Sequence, residues 1–154
     1  MGSLHEGHIK LIEKCSMECD ETIVSIFVNP TQFNNKTDLF KYPKSTNEDI
    51  QTIKTINQNA IIYTPVESDL YSSPAKAEIF DLDGIDKIIE GEFRKGHFQG
   101  VATVLEYFFK TFLPSKAYFG EKDYQQLLIV NYLSKSLNIS TKIIGCPIVR
   151  STDG

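Results

Sequence analysis

Apolar residues recur at helical spacing from the start of the chain. His8, Leu11, Ile12 and Cys15 share one face, Cys19 continues it, and the pattern predicts a helix from Leu4 to Cys19. The next run, Thr22 to Val28, is apolar nearly throughout and predicts a strand buried on both faces. A polar stretch from Asn29 to Pro43 follows, then a helix opened by Ser45 with Glu48 three residues on, the spacing of a capping box. Ala60 to Thr64 reads as a strand, Glu67 to Pro74 as a loop, Glu78 to Asp81 as a short strand and Asp86 to Glu90 as a short helix. Val101, Val104, Leu105, Phe108 and Phe112 mark one face of a helix that must stop at Pro114. Lys116 to Phe119 is then a strand, Lys122 to Leu137 a helix, and Thr141 to Cys146 the last strand.

Short β-branched runs alternating with helices predict an α/β fold of parallel βαβ units, with no internal repeat or linker to divide it. In a doubly wound parallel sheet the first helix follows a central strand, and here the strand before Leu4 lies outside the sequence. The chain also stops at Ser151-Thr-Asp-Gly154, just past a strand end where a functional loop is expected. It reads as a segment of a longer protein.

Composition narrows the class without naming a chemistry. One domain is expected of 154 residues, and a net charge of −4 without a basic cluster argues against nucleic acid. No apolar run spans a membrane and no signal-peptide pattern opens the chain, so a cytoplasmic protein is expected. Cys15, Cys19 and Cys146 lack zinc spacing and suit neither a disulfide framework nor more than plain packing.

Candidate chemistry starts at the first helix. His5 and His8 are three residues apart, so their side chains neighbour each other beside the unpaired N–H groups and positive end of the helix. That is an arrangement for an anion, with Gly7 between them allowing a triphosphate close to the backbone, although two surface histidines capping a helix would look the same. Further candidates sit at strand ends, where such sheets bind ligands. The strand ending at Val28 delivers Asn29-Pro-Thr-Gln32-Phe33, in which Gln32 can both donate and accept. The strand ending at Phe119 delivers Gly120-Glu-Lys-Asp-Tyr-Gln-Gln126. Gly120 suits a tight turn, Lys122 supplies charge to phosphates, and Asp123 can accept from ribose hydroxyls.

These segments together resemble one family. Met1-Gly-Ser-Leu-His-Glu-Gly-His8, Val24-Ser-Ile-Phe-Val-Asn-Pro-Thr-Gln-Phe33, Gly96-His-Phe-Gln-Gly-Val101, Tyr118-Phe-Gly-Glu-Lys-Asp-Tyr-Gln-Gln126 and Pro147-Ile-Val-Arg150 are similar to the pantothenate synthetase (pantoate–beta-alanine ligase) family, in order along the whole chain. H-x-G-H alone marks only the wider nucleotidyltransferase group; the second and fourth segments are specific. The resemblance implies a Rossmann-like nucleotide-binding domain of the H-x-G-H nucleotidyltransferase type over residues 1–154, without its first strand. It implies ligation of pantoate and beta-alanine with ATP and magnesium, in a homodimer, and places the family's C-terminal lid domain outside this chain.

By matching position, the resemblance makes Met1, Gly2, Ser3, Leu4, His5, Glu6, Gly7 and His8 the first ATP-binding segment, with His8 the catalytic donor aided by His5 and Lys122. Gly120, Glu121, Lys122 and Asp123 form the second, and Val149 lies beside the adenine. Gln32 and Gln126 are the pantoate pair, Gln32 also serving beta-alanine, and Glu48 and Asp49 stand near the magnesium, Asp49 as its ligand. Arg94 and His97 match a basic loop without a catalytic role. Tyr107 and Lys95 depart from the family, which commonly has lysine and proline there. The competing readings are another H-x-G-H nucleotidyltransferase, a nucleotide-binding domain without catalysis, and an iron or zinc protein using His5, Glu6 and His8. The last has the wrong spacing for H-E-x-x-H.

Overall fold

Helix α1, Glu6–Glu18, begins two residues later than its apolar pattern suggests because His5 stays extended and caps it. The computed structural model describes residues 2–33, 36–42, 45–72 and 74–154. Met1 and Pro43, named above, lie outside the described residues. Strand β1 is Ile23–Ser25; a 3-10 turn, Pro30–Gln32, precedes α2, Lys36–Lys41, and α3, Thr46–Ile56. Strand β2, Ile61–Tyr63, pairs parallel with β1, Val24 facing Ile62. α4, Glu67–Leu70, occupies part of the expected loop, and α5, Glu90–Phe93, follows a 3-10 turn at Ile85–Lys87. α6, His97–Phe112, β3, Lys116–Gly120, α7, Tyr124–Ser136, and β4, Lys142–Cys146, complete the chain, with β3 and β4 parallel.

The expected parallel βαβ units are present, as β1–α3–β2 and β3–α7–β4. The described strands form two separate parallel pairs. β1 is shorter than expected and is not buried on both faces. α1 and α3 cover Val24 and Ile26, at 3% and 6% exposure, whereas the opposite-facing pair Ile23 and Ile61 remains 38% and 50% exposed. That second face gains cover at Tyr63, whose ring meets Phe108 and Phe112 of α6 edge-on. Leu82, Phe98, Val101, Ala102, Ile129 and Leu133 make the other core, between α6 and α7. α6 is buried beyond its predicted stripe, at Ala102 and Phe109 as well, and ends on Leu113 in the left-handed region immediately before Pro114. In α1 only Ile12 of the predicted stripe is fully buried; the three cysteines are free thiols, Cys15 and Cys19 half-buried.

Two further expectations fail for the same reason, competition from side chains. Glu78 to Asp81 is extended but forms no strand, because α6 supplies its partners: Glu78 N–H donates to Thr103 Oγ1, and Gln99 pairs with both the N–H and the C=O of Phe80. Ser45 stands at the N-cap of α3 without forming the Glu48 capping box; its hydroxyl turns instead to Asp49.

Candidate functional site

At the start of α1 the two histidines lock each other. Gly7 N–H donates to His5 Nδ1 at 3.1 Å, His5 N–H donates to His8 Nδ1 at 3.3 Å, and the ring centroids are 4.0 Å apart. Because each Nδ1 accepts, each neutral ring carries its proton on Nε2, the tautomer assigned by these bonds. Burial, and then the neighbouring His5, push the His8 pKa down to about 4, against the weaker opposite pull of Asp49 and Asp123. His8 is therefore an uncharged N–H donor at neutral pH. The room that Gly7 leaves is taken by His5, since a Cβ there would stand 3.0 Å from its Cε1.

The segment before the helix is held by Asp49. Its carboxylate, 3% exposed, accepts from Ser3 N–H at 2.8 Å, Leu4 N–H at 2.8 Å and Ser45 Oγ at 3.2 Å. These bonds hold Ser3 at a φ of 54°, outside the usual range for a side-chain-bearing residue. Asp49 does not fit the magnesium-ligand role expected of it, because both oxygens are engaged. Among the described residues no three His, Cys, Asp or Glu side chains gather to hold a metal. Glu48 is exposed, and Glu6 is exposed beside Lys10.

The loop after β1 is built on Asn29, which sequence reasoning missed. Its Oδ1 accepts from Thr31 N–H, Thr31 Oγ1 and Tyr71 Oη, while Nδ2 donates to Gly100 C=O at 3.0 Å. A Cβ on Gly100 would fall 2.6 Å from Thr31 Oγ1, so this glycine is required for α6 to meet the loop. The signal was present, as asparagine before Pro-Thr commonly folds an Asx turn. Gln32 then has its carbonyl held by His97 Nδ1 at 3.1 Å and Arg94 Nη2 at 3.4 Å. Its side-chain amide has no partner among the described residues, nor does that of Gln126.

The third contribution comes from the turn after β3. Glu121–Asp123 is a 3-10 turn ahead of α7, so Lys122 precedes the helix rather than opening it. Lys122 pairs with Asp123 at 3.0 Å, both well exposed. Gly120 has an ordinary extended backbone, and the tight turn expected there is not its reason; a Cβ would meet nothing within 4 Å. Asp123 raises the proton affinity of both His8 and His97, which brings the starts of α1, α6 and α7 into one electrostatic neighbourhood. Val149 is partly exposed in the chain after β4. A cavity of about 320 Å³ opens at the carboxyl ends of β1 and β2, lined by Ile26, Val28, Pro30, Thr64 and Pro65. A larger one, about 400 Å³, lies at their amino ends beside Cys19 and Asn57, away from every candidate residue.

The family model for pantoate-beta-alanine ligase matches residues 1–154. The chain belongs to the pantoate–beta-alanine ligase family. It is 47% identical over 153 residues to a pantothenate synthetase of Flavobacterium psychrophilum and 44% identical over 154 residues to one of Christiangramia forsetii, covering 99% and 100% of this chain. The chain spans about half the length of these relatives, 54% of each. Among solved structures, a pantothenate synthetase from Thermus thermophilus superposes with a TM-score of 0.93 at 37% identity, covering 100% of this chain and 55% of that one. Pantoate-beta-alanine ligase from Francisella tularensis, complexed with beta-gamma ATP and beta-alanine, superposes with a TM-score of 0.92 at 43% identity, covering 99% of this chain and 58% of that one. Parallel strands in βαβ units and these family neighbours make the fold a Rossmann-like nucleotidyltransferase domain, four of whose strands are described.

Proposed function

We propose that this chain forms the ATP- and pantoate-binding domain of an ATP-dependent ligase that joins pantoate to beta-alanine. The observation that carries the reading is the whole-chain likeness to the Francisella tularensis ligase complexed with beta-gamma ATP and beta-alanine. The paired Nε2–H donors of His5 and His8 beside the Lys122 turn support it. In the first step a carboxylate oxygen of pantoate attacks the α-phosphorus, the bond to the β-phosphate oxygen breaks, and pyrophosphate leaves. Charge grows on the phosphoryl oxygens, and preorganised donors that need no reorientation stabilise it. His8 and His5 supply such donors, and Lys122 supplies charge once drawn from Asp123. In the second step the beta-alanine amine attacks the acyl carbonyl of pantoyl adenylate, the C–N bond forms, AMP leaves and the amine releases a proton.

Gln32 and Gln126 read pantoate with amides that have no partner among the described residues, Gln32 also meeting beta-alanine. Gly2, Ser3, Leu4, Glu6 and Gly7, with Gly120, Glu121 and Asp123, line the nucleotide, and Val149 lies beside the adenine. Met1 belongs to this reading by family position alone. The described residues offer magnesium no protein cage, and a phosphate-bound magnesium keeps most of its water. By the same resemblance the protein is a cytoplasmic homodimer, and no described helix is long and apolar enough to cross a membrane. The test is incubation with ATP, magnesium, pantoate and beta-alanine, with AMP, pyrophosphate and pantothenate each measured. Equal yields support the ligase; pyrophosphate without pantothenate would make it a nucleotidyltransferase of another kind, and neither product would leave a binding domain.

A further inference from the structure

The turn Ile88–Gly91 carries a backbone conformation that its sequence resists. Gly91 N–H donates to Ile88 C=O at 2.9 Å, and Ile89 between them has φ 51° and ψ −117°, the first central position of a type II′ turn. Glycine is the residue for that position, and a β-branched side chain there is a true outlier. No burial repays it, since Ile89 is 65% exposed. The chain folds back so closely that a Cβ on Gly91 would stand 2.0 Å from Asp86 O. Such strain persists only where surrounding contacts over-determine it.

Gln125 supplies those contacts. Its amide, 6% exposed, donates to Ile85 C=O at 2.7 Å and Ile88 C=O at 2.7 Å, and accepts from Glu90 N–H at 2.9 Å. All three bonds are to backbone on the turn and its approach. From there the chain passes through α5 to Arg94, paired with Glu90, and to His97, whose N–H donates to Arg94 C=O. Both side chains end on the carbonyl of Gln32. Gln125 is also the immediate neighbour of Gln126. One side chain thus ties the helix bearing Gln126 to the loop bearing Gln32.

We infer that Gln125 is a positioning residue, which holds the strained Ile88–Gly91 turn and through Arg94 and His97 sets the spacing between the Gln32 and Gln126 amides. The inference rests on the assignment of those two amides to pantoate. Glutamine suits the task because one planar amide donates twice and accepts once. Gln125→Glu would set a carboxylate against two carbonyl oxygens, and Gln125→Leu would leave three backbone groups unpaired.

The experiment measures pantoate and ATP affinity separately by calorimetry, and the Gln32 and Gln126 side-chain amides by NMR, in Q125L, I89G and the double variant. Q125L should weaken pantoate on the order of 10-fold, as misplacement of well-aligned groups does, with ATP affinity within about twofold and the Gln32 amide signal shifted. I89G alone should raise the melting temperature and leave pantoate affinity unchanged. Added to Q125L it should recover much of the lost affinity, because glycine adopts the turn unforced. Equal loss of pantoate and ATP affinity, or no rescue by I89G, would overturn the inference. If Q125L is too unstable to assay, a rise in melting temperature for I89G supports the held strain and its absence refutes it. If Q126A leaves pantoate affinity untouched while Q125L still shifts the Gln32 amide, the substrate assignment fails and the positional link stands.

Discussion

The carboxylate of Asp49 receives the backbone N–H of Ser3 at 2.8 Å, across 46 residues of sequence. Through it the first turn of α3 fixes the segment that leads into α1, and with it the pair His5 and His8. A residue expected beside a metal is instead an anchor for the backbone.

Replacing Asp49 should therefore unfold the site before it affects any ion. Asp49→Ala leaves Ser3 N–H, Leu4 N–H and the Ser45 hydroxyl without their acceptor, and a cost of about 2–4 kcal/mol is expected for such charge-assisted bonds. Asp49→Asn should be nearly as harmful, since one of its two groups is a donor. Urea unfolding measures the cost. Unchanged stability, joined to a higher magnesium requirement, would return Asp49 to the metal.

His8→Ala should slow pyrophosphate release by about 10²- to 10³-fold, the usual loss for one donor aimed at developing charge. Pantoate affinity should change little. Because His8 already donates as a neutral ring, its contribution should not grow as the solution is acidified from neutrality towards about pH 6. Single-turnover assays decide both points, and a rate within a few-fold of the parent would remove His8 from the reaction.

The same histidine ties stability to pH. Its native pKa of about 4 lies below the ordinary 6.5, so between these values the unfolded chain binds a proton that the folded one refuses. The His8 contribution is fully present above pH 6.5 and is lost as the pH drops towards 4. His97, lowered chiefly by burial, acts in the same direction. In the ligand-free protein, His8→Gln should flatten the slope of denaturant stability across this window, leaving the His97 share. A slope equal to the parent's would mean that His8 is protonated in the folded state.

Gln126→Ala should cut discrimination between pantoate and an analogue lacking a hydroxyl. A site that pairs a substrate hydroxyl rejects the analogue because its own polar group is left unpaired, and the substitution removes that penalty. Competition between the two acids measures it. Undiminished discrimination would assign the hydroxyl to another residue.

Periodicity and local chemistry determined much of this protein. Helical spacing from Val101 to Phe112, the stop at Pro114, the parallel βαβ units and the neighbouring of His5 with His8 all depend on residues close in sequence. The motifs from Met1 to Arg150 carried the family. What the tertiary structure decided were the partners of polar groups distant in sequence. Asp49 serves Ser3 and Leu4, Asn29 serves Gly100, and the Glu78–Phe80 segment pairs with α6 side chains instead of a strand. A buried polar group must find a partner, but local pattern does not say which. The same holds for His8. Its place at a helix start was legible, while its lowered proton affinity came from burial and from the ring that folding set beside it.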